Sequence, residues 1–111
     1  MSAESNFQSI WEYEINDKFR TEFIEAYSSS GLWVNLFRQC KGYIKTELKQ
    51  DVENPHRFLT IDYWQSQSAF SAMKQSIGDE YNKLDKQCEV YTVAENHIGF
   101  FGTVQKPIKL A

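Results

Sequence analysis

Histidine, cysteine and proline are scarce in this sequence, with two of each. Cys40 and Cys88 make no disulfide framework. Both fall at apolar positions of helical spacing and read as reduced, buried thiols. His56 and His97 stand far apart in different local contexts, so no metal-ligand spacing forms. No stretch approaches the ~18 consecutive apolar residues of a membrane helix. The polar start MSAESN leads into no apolar segment, so a signal peptide is not expected either. A formal net charge of −3 and the lack of a Lys/Arg run argue against nucleic acid as the partner. GxGxxG, P-loop and GxSxG motifs are all missing, which leaves nothing to point to nucleotide-dependent or serine-hydrolase chemistry. Together these absences suggest a cytoplasmic protein without a metal or cofactor.

Aromatic residues, by contrast, are plentiful: three Trp, six Tyr and eight Phe, 15% of the chain. A chain of 111 residues makes one domain and buries roughly 65% of its unfolded surface. That core does not need so many rings. The surplus predicts a second apolar surface, such as a pocket or a dimer interface. There is no internal repeat, low-complexity segment or interdomain linker.

The stretch from Gly42 to Trp64 organises the rest. Ile44, Thr46 and Leu48 alternate with polar neighbours, and Leu59, Ile61 and Tyr63 alternate with Phe58, Thr60, Asp62 and Trp64. Both runs have the period of a half-buried strand. Asp51–Pro55 between them holds an Asn-Pro turn signal, so the stretch reads as a β-hairpin. Phe7–Ile15 (FQSIWEYEI) is predicted as the first strand, and Asn16 or Asp17 can cap the helix behind it. Phe19, Phe23, Ala26 and Tyr27 have helical spacing. Ser28–Gly31 breaks that helix, and Leu32–Cys40 continues it to a C-terminal cap at Gly42. After Trp64, helix is predicted from about Ser66 to Ser76, interrupted at Gly78 and resumed through Tyr81, Leu84 and Cys88. Glu89–Phe101 is the last strand. Residues 1–6 form an arm and 102–111 a tail, around a domain at 7–101. The order β-α-β-β-α-β is the ferredoxin-like split: α+β, an antiparallel sheet with helices on one face.

The other sheet face predicts an assembly. The more apolar parity of each strand should meet the helices: Trp11/Tyr13/Ile15, Ile44/Leu48, Leu59/Ile61/Tyr63 and Val90/Ala94/Ile98/Phe100. The opposite parity then carries Glu12, Phe58, Asp62, Trp64, Tyr91, Glu95 and His97, with Ile10, Tyr43, Val93 and Phe101. That mixture suits a half-wet cavity closed by a second copy of the sheet.

The strand IWEYEI, the hairpin GYIKTEL…RFLTIDYW, the segment WQSQSAF and the closing AENHIGF resemble the antibiotic biosynthesis monooxygenase (ABM) family over roughly Phe7–Phe101. The resemblance implies a dimeric α/β barrel whose facing sheets enclose a pocket. It also implies that Trp64 lines that pocket. Some members oxygenate phenolic or quinol-like compounds with O2 and no cofactor, others degrade haem, and others have no known activity. The haem-degrading members use a histidine on the helix after that tryptophan. Residues 65–88 contain none, so haem is not expected here.

Two functions follow from this resemblance. One is cofactor-independent oxygenation of a small electron-rich aromatic (phenol, quinol or anthrone-like); the other is a non-catalytic dimeric module that binds a small ligand. For the first, His97 is the candidate base, with Glu95 or Glu12 orienting it. Trp64, Phe58 and Tyr91 would make an aromatic slot, and Asp62 would bind a polar substrate group. Each has a plainer reading. Trp64 can anchor a helix, His97 can be a structural histidine, and the strand acids can be edge charges or interface ion pairs.

Overall fold

The computed structural model describes residues 6–104. The expected arm and tail lie almost wholly outside that range. Strand β1 spans Phe7–Ile15 as expected. The Asn16 side chain accepts the Lys18 N–H and caps a 3-10 turn, Asp17–Phe19, that leads into helix α1, Arg20–Tyr27. Helix α2, Leu32–Phe37, follows. Gly42 then adopts φ +91, and a Cβ there would stand 2.5 Å from the Ala69 Cβ. Only glycine combines that conformation with so close an approach.

Strands β2 (Tyr43–Gln50) and β3 (Arg57–Trp64) form the hairpin. The Ser66 hydroxyl caps helix α3 by accepting the Ala69 N–H at 3.1 Å. Helix α3 spans Gln67–Cys88 but is broken by the non-helical Ile77 (φ −124, ψ 28), beside the interruption expected at Gly78. Gly78 follows the kink, and a Cβ there would meet nothing within 4 Å. Gly78→Ala is therefore expected to stabilise the fold by about 0.5–1 kcal/mol, read as a rise in Tm. A fall in Tm would show that the kink needs glycine. Glu89–Tyr91 forms a 3-10 turn, so strand β4 begins at Thr92, later than expected, and ends at Phe101. No helix among the described residues is long and apolar enough to cross a membrane.

The four strands form one antiparallel sheet in the order β2-β3-β1-β4. With the helices on one face, this is the ferredoxin-like fold. The core lies between that face and the helices. Phe23, Ala26 and Tyr27 come from α1, Trp33 and Phe37 from α2, and Met73 and Ile77 from α3. They pack on Tyr13, Ile15, Phe58 and Trp64.

Strand parity overturns part of the sequence reading. β1 turns Trp11, Tyr13 and Ile15 to the helices as expected, but β3 does the reverse. Phe58, Thr60 and Trp64 are buried under the helices and Asp62 shares their side, while Leu59, Ile61 and Tyr63 face away. Two irregularities explain the other strands. A register shift between Tyr43 and Lys45 puts Tyr43 and Thr46 on the same side. A second shift, opposite Ile10/Trp11, makes Ile98 the extra residue of a bulge with Gly99 at φ +151. His97 and Phe100 can then both face the helices. Their rings meet at 4.5 Å, and Phe100 also touches Phe70 of α3. The predicted cavity between two facing sheets therefore loses most of its lining to the helix side of a single protomer.

Candidate functional site

Between the sheet and the helices lies a narrow, partly open cleft. The sheet supplies Trp11 and Tyr13 from β1, Thr46 from β2, Thr60 and Asp62 from β3, and Glu95 from β4. The helices supply Tyr27, Trp33 and Phe37, then Tyr81 and Asp85 from the part of α3 beyond its kink. Two of the seven residues singled out from sequence, Asp62 and Glu95, line this cleft.

Asp62 is its most constrained polar group. It sits mid-strand, cross-strand from Ser9 and Thr46. The Thr46 hydroxyl donates to Asp62 Oδ1 at 2.6 Å. That commits the single Thr46 proton, so the Tyr43 hydroxyl, 2.8 Å away, donates to Thr46 in turn. The chain Tyr43→Thr46→Asp62 points at the carboxylate. Among the described residues no group donates to Oδ2. Burial outweighs the hydrogen bond and pushes the Asp62 pKa up to about 6. Asp62 keeps some accessible surface because it borders the cleft, although protein encloses the rest of it. Glu95, more exposed, is pushed upward first by desolvation and then by the nearby charges of Asp85 and Glu89.

The phenols around them stay protonated. Burial holds Tyr13 and Tyr27 far above the ordinary phenol range and takes Tyr81 to about 12. The Tyr13 and Thr60 hydroxyls are hydrogen-bonded to each other at 3.2 Å. The cleft thus offers neutral hydroxyls, ring faces and two carboxyl groups, Asp62 and Glu95, whose pKa values burial raises. Its helical wall is tight: ring centroids lie 4.9 Å apart for Trp33–Tyr81 and 6.3 Å for Phe37–Tyr81. A sandwiched planar ring needs walls about 7 Å apart, two contact distances. Tyr81 must swing aside to admit one there, and it stands just past the kink in α3.

The other sequence candidates lie elsewhere. His97 Nε2 is 3.1 Å from the Ser9 hydroxyl, and its ring rests on Trp11 at 4.7 Å. It stands behind Trp11 and does not line the cleft. Glu12 faces away from the helices, where Arg57 donates to it at 2.6 Å and Asn96 at 3.3 Å. It cannot orient His97 from that side. Trp64 has no exposed surface and is boxed in by Phe37, Tyr43 and Phe70 at 5.2–5.8 Å. Phe58 is buried against Phe23 under α1, and Tyr91 packs on Phe19 in the 3-10 turns. Sequence reasoning missed Thr46, Tyr27, Trp33, Tyr81 and Asp85. The threonines carried a usable signal: Thr60, Asp62 and Trp64 share one parity with Phe58, so the polar pair travels with the core. Among the described residues, no three His, Cys, Asp or Glu side chains converge where a metal ion could sit.

Residues 9–82 match the model of the family described as antibiotic biosynthesis monooxygenase. The chain belongs to that family. Solved structures share the fold at low identity. A conserved protein from Methanosarcina mazei is 12% identical, with a TM-score of 0.69 and coverage of 92% of this chain and 96% of its own. SnoaB, a cofactor-independent oxygenase from Streptomyces nogalater, is 13% identical, with a TM-score of 0.67 and coverage of 96% and 100%. A dimeric ferredoxin-like protein from an uncultured marine organism is 13% identical, with a TM-score of 0.67 and coverage of 97% and 96%. No curated protein matches. ABM membership accords with the hairpin-and-tryptophan pattern of the sequence.

Proposed function

We propose that this ABM protein oxygenates a small electron-rich phenol or quinol with O2, in the sheet–helix cleft and without a cofactor. The observation that carries the reading is Asp62: a carboxylate in an aromatic cleft, with its pKa pushed up to about 6 and its second oxygen receiving no hydrogen bond among the described residues. Asp62 accepts the phenolic proton. The resulting phenolate gives one electron to O2, and the radical pair joins in a C–O bond. Asp62 returns its proton to the peroxide, giving a hydroperoxide. The carbon that bears it then loses its hydrogen as a proton, which joins the departing hydroxide as the O–O bond breaks, so water leaves, a carbonyl remains, and phenol and O2 give quinone and water. The protein supplies the proton acceptor, orientation and exclusion of water. Ring faces of Trp11, Trp33 and Tyr81 hold the substrate. SnoaB, a fold neighbour that oxygenates without a cofactor, supports the class of reaction. The test is oxygen uptake by metal-free protein on a panel of naphthols, quinols and anthrones. Uptake that never exceeds the uncatalysed rate would sink the enzyme and leave a ligand-binding module.

The reading includes a homodimer. Ile10 and Ile61 are cross-strand partners on the open sheet face, and Leu59, Tyr63 and Phe101 flank them there. An apolar face of this kind needs cover. The fold neighbour described as a dimeric ferredoxin-like protein supports this reading. Ile61→Lys is expected to turn a dimer into a folded monomer, measured by sedimentation equilibrium. Unmutated protein found monomeric at micromolar concentration would remove the dimer.

A further inference from the structure

Three carboxylates border an aromatic cleft to which no described residue brings a basic side chain. Among the described residues Asp62, Glu95 and Asp85 line it, and no Lys, Arg or His does. Lys74 lies over the Tyr81 ring at 3.7 Å and feels the charge of Asp85, yet it does not border the cleft. Among the described residues Glu95 and Asp85 form no hydrogen bond or ion pair, and Asp62 has only Thr46. Like charges in an enclosed site repel one another, and desolvation adds to the cost. A cation removes both costs, and electron-rich ring faces attract it further. Among the described residues no three acidic or soft ligands converge as a metal site would require, so an organic cation held by ring faces and fewer carboxylates fits better than a metal ion. A second polar group stands unused in the wall. Trp33 is 7% exposed, and its indole N–H has no hydrogen-bond partner; the Tyr27 hydroxyl and Cys88 thiol lie beside it without adequate geometry. A buried donor of this kind calls for an oxygen acceptor.

We infer that the cleft takes a phenolic amine: an ammonium group beside Glu95 and Asp85, joined to a ring whose hydroxyl oxygen accepts the Trp33 N–H and whose hydroxyl proton faces Asp62. The inference deepens the oxygenase reading by naming the charge class of its substrate, and it excludes anionic aromatics. The binding claim stands apart from turnover. Calorimetric titration of the full chain without O2 compares tyramine, 4-ethylphenol and 4-hydroxyphenylacetate, which share a ring and differ in charge. Tyramine is expected to bind at least about tenfold more tightly than 4-ethylphenol, with the anion weakest. Glu95→Gln and Asp85→Asn are each expected to weaken tyramine several-fold and to leave 4-ethylphenol unchanged. Equal affinities, a preference for the anion, or no binding by any of the three would overturn the inference. Oxygen uptake on neutral phenols with no preference for amines would keep the oxygenase and sink the cation site. A preference for amines without uptake would do the opposite.

Discussion

Asp62→Asn is expected to lower turnover by about 10²–10⁴-fold, the usual contribution of a positioned proton acceptor, while making the folded protein more stable at pH 7. The two effects share one cause. Burial raises the Asp62 pKa from an ordinary 3.8 to about 6. The unfolded chain therefore releases this proton at lower pH than the folded one. Stability is unaffected by Asp62 below about pH 3.8, falls as pH rises from there through 6, and stays reduced above. The displacement corresponds to at most about 3 kcal/mol at ~1.4 kcal/mol per pH unit. Asparagine is isosteric and its oxygen still accepts from Thr46, so the variant removes charge and basicity without opening a hole. Thermal melts at pH 4 and pH 7 check the linkage: the Tm gain should appear at pH 7 and shrink at pH 4. A gain equal at both values would assign it to packing instead. His97→Ala is the informative contrast. His97 stands behind Trp11, so its removal is expected to cost less than about tenfold in turnover. A loss as large as that of Asp62→Asn would return the proton acceptor to His97.

Trp64→Ala is expected to destabilise the fold by about 3–5 kcal/mol, the range for deleting a buried large aromatic. Trp64 has no exposed surface and meets Phe37, Tyr43 and Phe70 edge to face. It joins α2, the hairpin and α3 where the sheet hands over to the helix. Urea unfolding measures the loss. A variant as stable as the parent but with weakened ligand binding would restore Trp64 to the cleft wall.

The fold was legible because its signals are local. The period-2 run of IWEYEI, the Asn-Pro turn of the hairpin and the serine cap before α3 each act within a few residues. The facing of the strands was not legible, for a physical reason. Both sides of β3 are apolar, since Leu59, Ile61 and Tyr63 cover an open sheet face while Phe58 and Trp64 fill the core. Hydrophobicity then carries no sign, and ranking the parities by aliphatic content chooses the wrong one. The bulge at Ile98 adds a second inversion that depends on a backbone conformation at Gly99. Asp62 and Glu95 were found because acids inside strands stand out. Trp33, Tyr81 and Asp85 were not, because they reach the cleft from helices whose spacing already accounts for them as packing or surface. Cysteine placement followed the expected pattern in part: Cys88 is buried and Cys40 half-buried, both free thiols.

The most direct test is the pH dependence of kcat/KM for oxygen uptake by metal-free protein, since that ratio reports the free enzyme. The expected profile has an acid limb with its midpoint near pH 6, set by Asp62, and that limb disappears in Asp62→Asn. Uptake that is flat between pH 5 and 8, or that keeps its acid limb in the variant, would contradict a proton acceptor at Asp62.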